Sequence, residues 1–327
     1  MNEIHVDSNP SARTKTIFFI AFHSIYLVTI VLNLALLFAP ISIRIQAFVL
    51  YLAFVILSGC SWKCEKKYGS PWRKFSEKFP FFHLMRSYLN LSIGSLPSEL
   101  ANAEKQADAQ FIFATFTHGC GAEYRILMDG MLQDVLPNIY HKIRVLTASV
   151  LFYIPLVREV ALWTGCVDAG RKSAKLNLEK GNSLLILPGG EQEQLLTEYG
   201  KEIVYLKRRK GFIKLALQHK VPVVPVYVFG ASDLFYTSKL FFRPRFWLVN
   251  RFGICIPFCR GLYGSLCPLP KKISIVFGAP KMYEMKGDSP TEHEVDEAHD
   301  QFMKELELLF DTHKTTYGYG DRKLVIY

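Results

Sequence analysis

The sequence predicts an α/β fold, a sheet covered by helices, set behind an N-terminal pair of apolar helices. Three observations carry the prediction. From residue 100 onward, short β-rich runs alternate with helical stretches. Two long apolar runs precede them, and a capped amphipathic helix lies near the end of the chain.

The first elements are the apolar runs. Residues 1–14 are polar and read as a disordered tail. Ile17–Ala39 is apolar apart from His23, Ser24, Thr29 and Asn33. As a helix it reaches about 35 Å, enough to cross a bilayer, and Pro40 ends it. Ile41–Gly59 follows, with Arg44 and Gln46 interrupting its start. Its clean part, Ala47–Gly59, is only about 20 Å long as a helix. Residues 15–60 therefore read as a membrane hairpin with a short second arm, or as a wedge in one leaflet. Arg13 and Lys15 precede the hairpin; Lys63, Lys66, Lys67, Arg73 and Lys74 follow it. With both flanks cytosolic the positive-inside rule is satisfied, and residues 61–327 form a cytosol-facing domain. A single span would put that domain in the lumen, where the sequon Asn90-Leu91-Ser92 could be used. The larger basic flank after the second arm favours the hairpin. A cleaved signal peptide does not fit, because the apolar part is too long and no small-residue cleavage site follows it.

Phe111–Phe116, Ile143–Thr147, Ser183–Leu187, Val223–Phe229 and Ile273–Phe277 read as strands. Tyr124–Gln133, Arg171–Lys180 and Gly211–His219 read as helices between them. Near the end of the chain, Thr291 and Glu294 form a capping-box pattern after Pro290, and Val295, Ala298, Phe302, Leu306 and Leu309 recur at helical spacing.

Length and composition narrow the function. A chain of 327 residues can bury a substantial core. A net charge of +10 on a chain that is 50% hydrophobic suggests an anionic membrane surface or a polyanionic substrate. No zinc-finger, helix-turn-helix or RNA-recognition signature supports nucleic acid. Seven scattered cysteines fit reduced thiols better than a disulfide framework. Cys60-x3-Cys64 and Cys255-x3-Cys259 have zinc-like spacing, but neither has a nearby His or second cysteine pair, and no metal is expected. Leu234–Tyr263 interleaves Phe235, Tyr236, Phe241, Phe242, Phe246, Trp247, Phe252 and Phe258 with Lys239, Arg243, Arg245, Arg251 and Arg260. That is the chemistry of an interfacial segment, or of a core insertion with snorkelling arginines.

Three constellations carry candidate chemistry. His118 ends the strand in "FATFTHGCGAE", with Gly119 and Gly121 loosening the backbone and Glu123 five residues on. The end of a strand in an open α/β sheet is where such folds place their sites. By spacing alone His118 is a core side chain, a metal ligand or a general base. "LPGGEQE" follows another strand; Pro188, Gly189 and Gly190 make a turn or present N–H groups to an anion, with Glu191 and Glu193 next. "KRRKGF" puts Arg209 and Lys210 before Gly211 at a helix start, a phosphate site or a solvated basic face.

Together these residues resemble the type-2 diacylglycerol acyltransferases and their monoacylglycerol and wax-alcohol relatives, from the hairpin to about Gly318. "WRKFSEKFP" resembles the family segment ending in Tyr-Phe-Pro, and "FTHG" lies where the family has His-Pro-His-Gly. "ALWTGCVDAGRKS" is similar to its Asp-Ala-x-Arg region, and "PGGEQE" to its Pro-Gly-Gly-x-x-Glu. "RKGFIKLALQHKVPVVPVYVFG" resembles its longest signature and "FDTHKTTYG" its C-terminal end. Phe116 and Thr117 replace the first His and the Pro, so only His118 and Gly119 match there.

The resemblance implies a glycerolipid-acyltransferase-like α/β domain with a mixed sheet covered by helices. It implies an endoplasmic reticulum or lipid-droplet enzyme that moves a fatty acyl group from acyl-CoA to the hydroxyl of diacylglycerol, making triacylglycerol, without a cofactor. Monoacylglycerol and long-chain alcohols are the alternative acceptors, and a non-catalytic lipid-droplet protein of the same fold the alternative role. His118 is the expected general base, with Glu193 or Glu123 orienting its ring. Arg209 and Lys210 are expected on coenzyme A phosphates, with Gly119, Pro188, Gly189, Gly190 and Gly211 letting backbone approach the substrate. Cys120 as a nucleophile activated by His118 is a competing reading. Self-association is left open.

Overall fold

The computed structural model describes residues 10–57 and 65–327. Cys60 and Cys64, one of the two zinc-like spacings, lie outside them. The architecture is the expected α/β arrangement: apolar N-terminal helices, then a mixed sheet with helices on both faces.

Helix α1 (Ala12–Phe38) starts earlier than the tail of residues 1–14 implied, because Ser11 caps it, its side chain accepting from Thr14 N at 3.1 Å. At 27 residues it is long and apolar enough to cross a membrane. Helix α2 (Ile41–Leu57) is shorter, as its sequence indicated. The two are not detached from the domain. Phe18 and Phe22 are buried, and Phe18 stacks on Tyr88 with ring centroids 4.0 Å apart. Tyr51 of α2 donates to Glu159 Oε1 at 2.7 Å.

Eleven strands are present among the described residues. They are β1 (Ser92–Ile93), β2 (Ile112–Phe116), β3 (Ile143–Thr147), β4 (Cys166–Asp168), β5 (Ser183–Ile186), β6 (Glu202–Val204), β7 (Val223–Phe229), β8 (Tyr236–Thr237), β9 (Cys259–Arg260), β10 (Ser274–Phe277) and β11 (Leu324–Ile326). Seven form the main sheet in the order β1-β10-β7-β2-β5-β3-β4, parallel except where β10 runs against β7. β6 pairs with β11 in parallel, and β8 with β9 antiparallel.

Alternation along the central strands divides the core. Phe111 and Phe113 face one side with Val224, Val226 and Val228; Ile112, Ala114 and Phe116 face the other with Val223, Tyr227 and Phe229. α1 covers the first face. The helix Glu292–His313 covers the second through Val295, Ala298, Phe302, Leu306 and Leu309, as its periodicity required. Its capping box is formed: Thr291 Oγ1 accepts from Glu294 N at 3.2 Å, and Glu294 Oε2 accepts from Thr291 N at 2.8 Å.

Two local departures have physical causes. The helix expected over Tyr124–Gln133 runs Glu123–Asp129 and stops at Gly130, whose missing Cβ leaves room for Ser76 O and the Arg86 guanidinium; a second helix, Leu132–Val135, follows. Arg245 is not a snorkelling arginine but is buried. Its guanidinium donates to Ser238 O at 2.7 Å and Ile256 O at 3.1 Å and lies over the Phe258 ring, so it pins the helix Phe242–Phe252 to the chain on both sides of it.

Candidate active site

Three adjacent parallel strands, β5, β2 and β7, release their following loops at the same edge of the sheet. His118 lies two residues past β2. The Pro188-Gly189-Gly190 turn follows β5 and opens the helix Gly190–Leu196, which carries Glu193. Gly230 and Ala231 follow β7. The sheet order thus joins two segments that are some seventy residues apart in sequence.

Glu193 is the hub. It is 1% exposed, and its Oε1 accepts from His118 N at 2.5 Å while Oε2 accepts from Tyr205 N at 2.8 Å. Burial pushes its carboxyl up from 4.5 to about 7, against the two backbone N–H groups and Arg209, which pull it down. Gly189 makes this placement sterically feasible, since a Cβ there would lie 2.1 Å from Glu193 Oε2. Gly119, at φ +66°, approaches the chain after β7 so closely that a Cβ would lie 2.8 Å from Ala231 O.

The His118 ring is half-buried. Its Nδ1 is 3.1 Å from Gly119 O, and a carbonyl only accepts, so Nδ1 carries the proton and Nε2 presents a lone pair. Burial lowers the pKa of the imidazole below its ordinary value. It is therefore a neutral acceptor at neutral pH.

Neither expected carboxylate hydrogen-bonds this ring. Glu193 holds the backbone of His118 instead. Glu123 begins the helix Glu123–Asp129, folds back beside Gly121, and is raised to about 7 by burial. Glu191 is the carboxylate with electrostatic reach to the imidazole. Of the two carboxylates expected at the ring, Glu193 engages the backbone of His118 in this structure. The physical reason is that the first turn of its helix aims its side chain at the main chain after β2.

Arg209 and Lys210 diverge. Arg209 Nη2 donates to Gln192 Oε1 and lies 3.4 Å from Gly189 O, so the guanidinium lies on the Pro-Gly-Gly turn. Lys210 turns away and pairs with Asp296 at 2.7 Å. Gly211 is exposed, and a Cβ there would meet nothing within 4 Å. The Gln194 amide donates to Cys120 O, and the Cys120 and Cys259 thiols are hydrogen-bonding neighbours. That contact and burial hold Cys120 far above the ordinary thiol range, which suits an inert thiol rather than a nucleophile.

The other family-like motifs brace the fold. Trp72 N donates to Trp163 O at 2.9 Å, and the two indoles meet edge to face. Arg73 pairs with buried Asp129 at 2.5 Å, and Asp168 Oδ1 accepts from Gly170 N at 2.7 Å. Sequence reading missed Tyr205, Gln192 and Gln194, which carry no motif signal of their own.

A diacylglycerol acyltransferase family model matches residues 36–327. Diacylglycerol O-acyltransferase 1 of Eremothecium gossypii is 36% identical over 186 residues, covering 54% of this chain and 40% of that protein. Diacylglycerol O-acyltransferase 2 of Dictyostelium discoideum is 31% identical over 264 residues, 75% of this chain and 73% of the relative. 2-Acylglycerol O-acyltransferase 1 of Bos taurus is 28% identical over 328 residues, 89% of this chain and 91% of the relative. Against the diacylglycerol O-acyltransferases of Eremothecium gossypii, Saccharomyces cerevisiae and Homo sapiens, the match spans about half of the relative's length. The family model covers most of the chain, and the site residues fall within it: the chain belongs to the diacylglycerol acyltransferase family.

Proposed function

We propose that this chain transfers a fatty acyl group from acyl-CoA to the free hydroxyl of diacylglycerol, giving triacylglycerol and free coenzyme A. The observation that carries the proposal is the state of His118: half-buried, neutral, with Nδ1 engaged and Nε2 free to accept, beside a backbone fixed by Glu193.

In this scheme Nε2 takes the hydroxyl proton as the alcohol oxygen attacks the thioester carbonyl. The tetrahedral intermediate collapses by breaking the carbon–sulfur bond, and the imidazolium returns the proton to the departing thiolate. Arg209 on the Pro-Gly-Gly turn attracts the phosphates of coenzyme A, and Lys210 can join it only by leaving Asp296. Gly189, Gly190 and Pro188 keep that turn close to the substrate. Glu123, half-buried beside Gly121 with its carboxyl raised to about 7, begins the helix that follows the His118 turn. Acyl-CoA is a co-substrate, and the scheme draws on no cofactor.

The acceptor is a membrane lipid, and α1 fits a membrane anchor by length and composition. We assign the segment after β8 to the same surface. In the helix Phe242–Phe252, Arg243, Trp247 and Arg251 share the exposed face, with Trp247 59% exposed. Tyr263, at the end of the same aromatic and basic segment, meets Phe19 of α1 edge to face at 5.5 Å, which ties that segment to the apolar helix. Between Asp233 and Glu284 the chain has no acidic residue, as an anionic leaflet favours. An endoplasmic reticulum or lipid-droplet membrane, with the domain on the cytosolic side, fits this surface.

A second reading, transfer to monoacylglycerol, is favoured by the match to 2-acylglycerol O-acyltransferase 1 over 89% of the chain. The test uses microsomes from a yeast strain lacking its own neutral-lipid synthesis. Wild type and H118A are supplied with labelled oleoyl-CoA and with diacylglycerol, monoacylglycerol or hexadecanol. Triacylglycerol from wild type alone is expected. Diacylglycerol or wax ester would change the acceptor, and an active H118A would refute the base.

A further inference from the structure

The last strand of the described chain is tied to the candidate active site, although no motif marks it. β11 pairs in parallel with β6, and Leu206 N and Lys207 N both donate to Tyr327 O, at 2.8 and 2.7 Å. Arg322, just before β11, forks between two buried carboxylates, one on β6 and one in the turn after β7. Nη1 lies 2.7 Å from Glu202 Oε1, and Nη2 lies 2.8 Å from Asp233 Oδ2.

Each carboxylate belongs to a segment that bears on His118. Glu202 opens β6, and just past the end of that strand Tyr205 N holds Glu193 Oε2. Asp233 lies in the turn after β7, two residues past Ala231, against which Gly119 is packed. Asp233 Oδ1 also accepts from Gly200 N at 3.0 Å, which closes the turn before β6 onto the same node. The residues around the fork are Tyr227, whose hydroxyl donates to Glu202 Oε2 at 2.7 Å, Ser232, which donates to Glu202 Oε1 at 3.1 Å, and Tyr319, whose ring lies under the Arg322 guanidinium. Tyr227 also faces Glu193 electrostatically. Arg322 is the cation in this set.

We propose that Arg322 is a positioning residue for acyl transfer: by bridging Glu202 and Asp233 it fixes the Tyr205–Glu193–His118 line from one side and the Gly119 turn from the other. Nothing in this role touches substrate. Without Arg322, two buried carboxylates face each other uncompensated, and the segments carrying them separate. Proton uptake by one carboxylate relieves that repulsion, so acid partly restores the geometry.

The kinetic readout rests on the acyl-transfer reading above, so wild-type activity is measured first; if it is absent, that reading fails rather than this one. With active wild type in nanodiscs, R322Q is expected to lower kcat by about tenfold, with the acyl-CoA KM unchanged. Its kcat relative to wild type should rise as pH falls, because a proton on buried Glu202, whose carboxyl burial already raises, replaces the missing charge. Should R322Q fail to accumulate, the double variant E202Q/R322Q, which removes one stranded charge, should recover abundance and show a weaker pH dependence. A raised acyl-CoA KM at unchanged kcat would make Arg322 a substrate contact and overturn the proposal. So would a melting temperature lowered alone, with kcat per folded enzyme and its pH profile as in wild type.

Discussion

The substitution G189A tests the hub of the site most directly. Gly189 has φ −62° and ψ −35°, a backbone that alanine adopts freely, so the effect is steric and not conformational. The added Cβ would lie 2.1 Å from Glu193 Oε2 and 2.6 Å from Glu193 Cβ, well inside contact distance. The Glu193 side chain has to leave, and with it go the hydrogen bonds to His118 N and Tyr205 N. Above about pH 7, where Glu193 is ionised, each bond to the charged acceptor contributes roughly 1.5–3 kcal/mol, so losing both costs at least about 3 kcal/mol. Where that loss falls on the geometry of the transition state, the rate drops about a hundredfold. The assay is acyl transfer in membranes, normalised to folded protein, with thermal unfolding in detergent beside it. G211A is the control for stability: a methyl there meets nothing within 4 Å, and alanine suits a helix better than glycine. A G189A protein with wild-type rate and wild-type unfolding would refute the placement of Glu193.

Other outcomes follow from the same geometry. H118Q should lose transfer while keeping abundance, and the wild-type rate should fall on the acid side only below the ordinary histidine range, since burial lowers the imidazole pKa. Glu193 has a folded pKa raised from 4.5 to about 7, so the folded state holds the extra proton between those values. Its contribution to stability is therefore lost as pH rises through that window, and E193Q should unfold with a flatter pH dependence there. R209Q should raise the acyl-CoA KM more than K210Q does, because Lys210 is already paired with Asp296; equal effects would place both cations on the phosphates. In vesicles with brominated acyl chains, wild-type tryptophan emission should be quenched more than that of W247F; equal quenching would remove Trp247 from the bilayer.

The architecture was largely legible because its signals are local. β2, β3, β5, β7 and β10 are short runs of β-branched and aromatic residues, and each lies within a residue or so of its expected bounds. The capping box at Thr291 and the apolar stripe after it depend on residues three and four apart, which a sequence displays directly. Strands of two or three residues, such as β6 and β11, carry too few positions for alternation to show. The helix end at Gly130 was missed because its cause, contact with Ser76 and Arg86, is tertiary.

By itself, then, the sequence determined which residues could do chemistry: one histidine at a strand end, a Pro-Gly-Gly turn with acids after it, and a basic run before a helix. Residue type and local backbone preference suffice for that. The tertiary structure alone decided how they combine. It placed the β2 and β5 loops at one edge, turned Glu193 to the backbone of His118, separated Lys210 from Arg209, and brought Arg322 across 120 residues of sequence to Glu202. Those pairings are set by strand order and by the direction in which each helix starts, and neither is encoded in the spacing of the residues that meet.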